Sequence, residues 1–174
     1  MTKLEKKIIM FLADYPEREF YSQEIADKVR GSKASASGLL KALSRQGVVF
    51  KKVKGRMKFY QINLKSPELK RLRIDSAMEK INLFLPKLEK LSQKIILFGS
   101  ASRGEQTSGS DLDLFILSRD KKEIIEVLKK ISAGLRLKPI IKAPGEWSEL
   151  EITEPEFYRE IKNGITLYDY VSRI

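Results

Sequence analysis

The stretch from Lys94 to Leu117, KIILFGSASRGEQTSGSDLDLFIL, decides how the second half of this chain folds. An apolar strand, Lys94 to Phe98, is broken by Gly99-Ser100, after which Ala101 to Glu105 can begin a helix. Thr107-Ser108-Gly109-Ser110 is a polar loop, and Asp111 to Leu117 reads as a second strand. Side chains alternate along a strand, so Asp111 and Asp113 share one face while Leu112, Leu114 and Ile116 enter the core on the other. Two carboxylates forced together repel: at about 4 Å and an effective dielectric of about 20 the cost is roughly 4 kcal/mol, which a bound divalent cation reverses. Oxygen-only donors favour Mg²⁺, which takes one or two carboxylates and fills its shell with substrate phosphates. Upstream, the small Gly99-Ser100 pair admits a close backbone approach, and the following helix start offers free N–H groups to an anion. The combination describes a nucleoside triphosphate held by its metal and its phosphates.

Gly99-Ser100, ten residues, then Asp111-x-Asp113, with Arg103-Gly104 between and Ser110 just before, resembles the DNA polymerase beta-type nucleotidyltransferase superfamily. More narrowly, it is similar to its minimal branch, the MNT proteins often encoded beside HEPN partners. The resemblance implies a minimal α/β nucleotidyltransferase domain with a mixed sheet over residues 86–174. It implies catalytic and metal roles for Asp111 and Asp113, nucleotide contacts from Gly99, Ser100, Arg103 and Ser110, Mg²⁺ as cofactor, and an NTP, ATP foremost, as substrate. A HEPN-type protein is an implied partner. The sequence departs from the family where a third carboxylate is expected, on the strand after the helix Lys121 to Ala133. That strand, Leu135 to Lys142, contains no acid. Glu146 and Glu149 lie beyond it and substitute only if the chain folds back; otherwise they cap the last helix, which runs to Lys162 before Asn163-Gly164 and a closing strand, Ile165 to Tyr168. Trp147 and Tyr168 either stack on a base or belong to the core.

Charge separates this half from the rest. The chain has 174 residues and a net charge of +11, yet residues 94–174 carry 13 basic and 13 acidic side chains, whereas residues 1–65 carry 15 against 6. A basic first third joined to a neutral remainder suggests two modules, one meeting a polyanion. With 42% hydrophobic residues the chain can bury a core, and with no Cys and no His it excludes disulfide scaffolds, thiolate or imidazole zinc sites and Ser-His-Asp chemistry. The longest apolar run, Ile8 to Ala13, is far short of the roughly 20 residues of a membrane span, and no export signal opens the chain. The expectation is a cytoplasmic protein with no membrane partner.

In the basic third, Thr2 and Glu5 form a capping-box signature ahead of Leu4, Ile8, Phe11 and Leu12 at helical spacing, stopped at Tyr15-Pro16. A short strand-like stretch, Glu19 to Tyr21, leads to Ser22 as N-cap of a second helix with Ile25, Ala26 and Val29 inward and Gly31 as its end. Ser32 or Ser35 caps a third helix with Leu39, Leu40 and Leu43 as its buried stripe and Gly47 as its stop. Two strand-like runs, Val48 to Val53 and Met57 to Ile62, are joined by Lys54-Gly55-Arg56. Three helices and a hairpin describe a winged helix-turn-helix over residues 1–65. The segment resembles the winged-helix domains of small prokaryotic transcription regulators, which implies duplex DNA as a partner. Ser35, Ser37, Lys41 and Arg45 would then lie on the reading helix, and Lys51, Lys52, Lys54, Arg56 and Lys58 on a wing facing phosphates. The alternative is a charged hairpin that merely protects a sheet edge.

Between the modules, Ser66-Pro67-Glu68 starts a helix, and Pro86 divides the segment into a linker helix, residues 66–85, and a shorter helix, residues 86–92. Ile74, Met78, Ile81, Phe84 or Leu85, Leu88 and Leu91 keep a seven-residue beat that is either a homodimer seam or a stripe packed on the chain's own sheet. The expected fold class is therefore two-domain α+β. The expected function is Mg²⁺-dependent transfer of a nucleoside monophosphate to a macromolecular hydroxyl, coupled to DNA binding; the alternative is a regulator or antitoxin-like protein that binds nucleotide without turnover.

Overall fold

The computed structural model describes residues 1–107, 109–131 and 135–170. Its contacts divide the chain into two units, Met1–Leu72 and Arg73–Ile174. Among the described residues no helix is long and apolar enough to cross a membrane.

The first unit is a winged helix. Helix α1 (Lys3–Asp14) is closed at its start by the reciprocal pair expected there: Glu5 N–H donates to Thr2 Oγ1 at 3.2 Å and Thr2 N–H to Glu5 Oε2 at 3.1 Å. Strand β1 (Phe20–Tyr21) passes directly into α2 (Ser22–Val29). Ser22 is thus the first helical residue and not the cap; the Glu24 carboxylate instead takes the free Tyr21 N–H at 3.1 Å. Gly31 is likewise not the left-handed residue ending this helix. Arg30 holds that conformation at φ 55°, and Gly31 is small because a Cβ there would press to 3.0 Å from Leu4 Cδ1.

Helix α3 (Lys33–Arg45) is capped by Ser32, whose Oγ accepts from Ser35 N–H at 3.1 Å. Its buried stripe is Ala36, Leu40 and Leu43, with Leu39 only partly covered, because the stripe is set by the 3.6-residue turn and passes through Ala36. Strands β2 (Val49–Lys54) and β3 (Met57–Ile62) pair antiparallel from Val49↔Ile62 to Lys54↔Met57, leaving Gly55-Arg56 as a two-residue turn with Gly55 at φ +60°. Strand β1 joins the other side of β3, giving the order β1-β3-β2. Ile8, Leu12, Phe20, Ile25, Leu40, Leu43, Val49 and Tyr60 form the core beneath.

Helix α4 (Pro67–Asn82) is followed by α5 (Leu85–Glu89), with the break ahead of Pro86 and the proline inside the first turn of α5. The first turns of α4 give Leu69 and Leu72 to the first core, and the later ones give Ala77 and Ile81 to the second. Of the seven-residue stripe, Ile81, Phe84, Leu85 and Leu88 are buried in the second core, with Met78 and Leu91 packed against it, and Ile74 is half-buried.

The second unit is a mixed sheet of β4 (Lys94–Phe98), β5 (Leu112–Leu117), β6 (Leu137–Lys142) and β7 (Ile165–Asp169), ordered β6-β5-β4-β7. Only β5 and β6 run parallel, joined through α7 (Lys121–Ile131); the expected end of that helix at Ala133, like Ser108 in the polar loop, lies outside the described residues. One face of the sheet carries Leu112, Leu114 and Ile116 into a core with Phe84, Leu88 and Ile124. The opposite face carries Ile96, Phe98 and Phe115 against Leu150 of α8 (Pro144–Thr153) and Ile161 of α9 (Pro155–Lys162). The expected single last helix is thus two, because Pro155 lacks the N–H needed to continue the turn and starts a new helix. Both faces are covered, and polar groups collect at one end of β4 and β5.

Candidate functional site

Strand β4 ends at Phe98, which lies opposite Asp113 on antiparallel β5. The next residue, Gly99, turns at φ +67°, and any Cβ there would overlap Asp113 Oδ2. Only glycine fits both the backbone angle and the space. It opens α6 (Gly99–Ser102), a helix of four residues and not the longer one expected from Ala101 to Glu105. Ser102 Oγ donates to the Gly99 carbonyl at 2.8 Å, and the N–H groups of Arg103 and Glu105 both return to the Ser100 carbonyl, winding the chain into a compact knot.

Asp113 is half-buried on β5, whereas Asp111 is exposed and sits just before the strand. Burial pushes the Asp113 carboxyl above its ordinary value; nearby Asp111 and Glu160 push the same way, and Lys138 and Arg103 oppose them. Asp111 is thus among the charges felt by Asp113, although it lies just before β5 and not on it. Ser110 is occupied in shaping the loop, accepting from Thr107 N–H at 2.9 Å. Arg103 is held by carboxylates, with Nε 3.0 Å from Glu105 and Nη1 3.5 Å from Glu160, and both partners raise its affinity for its proton.

Sequence reasoning missed two of these charges. On β6 the residue in register with Asp113 is Lys138, so a cation stands where an acid was looked for. Alternation along β6 could have put residue 138 on the same side as residue 140, but the register with β5 is set only by folding. Glu160 comes from α9: Phe157 packs on Phe98 at a centroid distance of 5.9 Å, and one turn later Glu160 reaches Arg103. Of the acids considered beyond β6, one is engaged elsewhere. Glu146 accepts the Ala143 N–H at 2.6 Å and pairs with Lys121, and Glu149 is exposed. Trp147 packs between Phe115 and Tyr158, and Tyr168 lies against the other core, so neither is presented for base stacking.

Among the described residues no three acidic groups gather closely enough to hold a metal by themselves. Two carboxylates are nevertheless the donor set that Mg²⁺ uses when substrate phosphates complete its shell. The open groove of about 600 Å³ beside the site, lined by Glu154, Pro155, Glu156, Phe157 and Glu160, has the wrong sign for a triphosphate.

The basic module presents a second surface. Ser35, Lys41 and Arg45 are exposed on α3, and Ser37 is half-buried. In the wing, pairing puts Lys51 and Lys58 on the sheet side that carries Val49 and Tyr60, and Lys52 and Lys54 on the other. Lys52 and Lys54 both pair with Glu19, the former at 2.6 Å, and these contacts hold the Glu19 carboxyl below its usual range. The five wing cations are thus not equivalent: Lys51, Arg56 and Lys58 are the exposed ones without such a tie to Glu19.

Residues 78–168 match the family model described as the nucleotidyltransferase domain. No curated protein matches the chain. Among solved structures it is similar to MepR, a transcription regulator of the Staphylococcus aureus multidrug efflux pump MepA, at 17% identity and TM-score 0.42 over 50% of this chain and 64% of that one. Lactococcus lactis ZitR is similar at 19% identity and TM-score 0.39 over 53% and 63%. A proposed nucleotidyltransferase from Sulfolobus solfataricus is similar at 15% identity and TM-score 0.37 over 59% and 85%. The chain spans just under two thirds of the length of the first two of these structures.

Proposed function

The chain belongs to the nucleotidyltransferase domain family, and from that premise we propose that it transfers a nucleoside monophosphate from an NTP, ATP foremost, to a hydroxyl on a macromolecule, and that its winged helix binds duplex DNA. The observation that carries the reading is the fit of Gly99 against Asp113: a turn that tolerates no side chain is kept beside a carboxylate that is costly to bury. In this reading Asp111 and Asp113 hold Mg²⁺, which would neutralise the charge gathering on the transferred phosphate. Gly99 and Ser100 take phosphate oxygens, Arg103 leaves its carboxylates for the triphosphate, and Ser110 fixes the loop that delivers Asp111. The acceptor oxygen attacks the α-phosphorus, the bond from that phosphorus to the β-phosphate oxygen breaks, pyrophosphate leaves, and the hydroxyl proton passes to a nearby carboxylate or water. Catalysis is chiefly positioning and charge neutralisation.

Incubating the protein with α-labelled NTPs, Mg²⁺ and cell lysate tests transfer and reveals the acceptor together. Label should appear covalently on one class of macromolecule and vanish with Asp111→Asn or Asp113→Asn. A lysate left unlabelled by every NTP counts against transfer.

Lys138 favours a second reading, in which the domain binds nucleotide without turnover and regulates DNA binding, or a HEPN-type partner, as an antitoxin-like protein. Nucleotide should then change DNA affinity, and linkage requires DNA to change nucleotide affinity by the same factor.

A further inference from the structure

The register of two parallel strands assigns Lys138 a part in the site. Lys138 lies beside Asp113, and two residues on, Ile140 packs with Phe115 in the core under α8 and α9. Alternation then puts the ammonium on the same side of the sheet as the Asp113 carboxylate, at its exposed end. A two-metal centre sets its ions about 3.5–4 Å apart and needs carboxylates for both. Here the described residues offer two carboxylates and an exposed lysine, with no third acid close enough to share a metal.

We propose that Lys138 supplies, as its ammonium, the positive charge a second divalent cation would bring, so that the site takes a nucleoside triphosphate with one Mg²⁺. The inference rests on the nucleotide-binding function proposed for this domain and narrows it. A single metal on the carboxylates leaves the far side of the phosphate chain facing Lys138, whose three donors can follow it without a rigid coordination geometry. It holds whether or not the domain turns over.

The test counts metal directly. The full chain is mixed with an ATP analogue whose α and β phosphates are joined by methylene, and free Mn²⁺ is followed by electron paramagnetic resonance during titration. The parent should take up one Mn²⁺ per bound nucleotide. Lys138→Glu should take up two. Lys138→Gln should stay at one and lose roughly tenfold in nucleotide affinity, the usual order for one charge-assisted contact. Two ions in the parent, one in the glutamate variant, or undiminished affinity in the glutamine variant would each overturn the assignment of Lys138 alone. No nucleotide binding by the parent would overturn the nucleotide reading beneath it.

Discussion

Arg103 Nη1 lies 3.5 Å from Glu160 Oε1, a contact between the turn after β4 and a helix near the end of the chain. The arginine proposed to meet phosphate is therefore already paired, with Glu105 as its closer partner. Both pairs are about half exposed, so each is weak and breakable. Glu160→Gln should tighten nucleotide binding up to about fivefold by freeing the Nη1 end of Arg103 and removing a like charge beside Asp113. Calorimetric titration of the Mg²⁺ complex of ATP into parent and variant measures it; weaker binding in the variant would instead make Glu160 a ligand.

Asp113→Asn should make the empty protein more stable at neutral pH. The folded carboxyl binds its proton more tightly than the ordinary value of 3.8, so the native state holds more proton than the unfolded one between the two values. Stability therefore falls as pH rises through that window, and the penalty is complete above it. The melting point of the variant should exceed that of the parent at pH 7, with the gap closing as the pH is lowered towards the unfolded value. Saturating Mg²⁺ and ATP should reverse the order, because ligand at a hundred times its dissociation constant adds about 2.7 kcal/mol to whichever chain binds it.

Gly99→Ala should cost about 1–3 kcal/mol, since alanine must take a left-handed backbone and displace the Asp113 carboxylate as well. Nucleotide affinity should fall with it. Thermal unfolding and nucleotide titration on the same sample check both, and an alanine variant with parental stability would show that the turn relaxes freely.

Glu19→Gln should strengthen DNA binding. The change frees Lys52 and Lys54, and each additional phosphate contact steepens the log–log dependence of affinity on salt by about 0.9, so the slope should steepen by up to about 1.8. Fluorescence anisotropy on a duplex at several salt concentrations gives the slope directly. An unchanged slope would mean that the side of the wing carrying Lys52 and Lys54 faces away from DNA. Replacing Lys51, Arg56 and Lys58 by Ala should weaken binding to all sequences alike, whereas Lys41→Ala or Arg45→Ala should also alter sequence preference.

How far the sequence speaks depends on distance along the chain. The pairing of Thr2 with Glu5, the Gly55 turn and the alternation of Leu112, Leu114 and Ile116 are local, and each is seen as read. Asp113 falls on β5 as that alternation reads, whereas Asp111 lies just ahead of the strand. What escaped was non-local: nothing near Glu19 announces that two wing lysines will close on it, and nothing near Glu160 announces Arg103. Local rules also misplaced details where two residues could do one task. Serine at position 22 and glycine at position 31 both suit helix ends, but the Glu24 carboxylate and the left-handed backbone of Arg30 settled those ends otherwise.

The sharing of α4 has a bearing on how such a protein can be taken apart and recombined. Leu69 and Leu72 complete one hydrophobic interior, and Ala77 and Ile81 of the same helix complete the other. A cut at the contact boundary after Leu72 would leave the downstream piece opening with a helical stump whose capping serine, Ser66, has gone with the upstream piece. The downstream half made alone must carry the whole helix to keep both its interior and its cap. Swapping a different N-terminal domain onto the nucleotidyltransferase half is accordingly a matter of grafting at Asn63 to Lys65, ahead of α4, and a replacement would have to accept Leu69 and Leu72 as ready-made parts of its own interior.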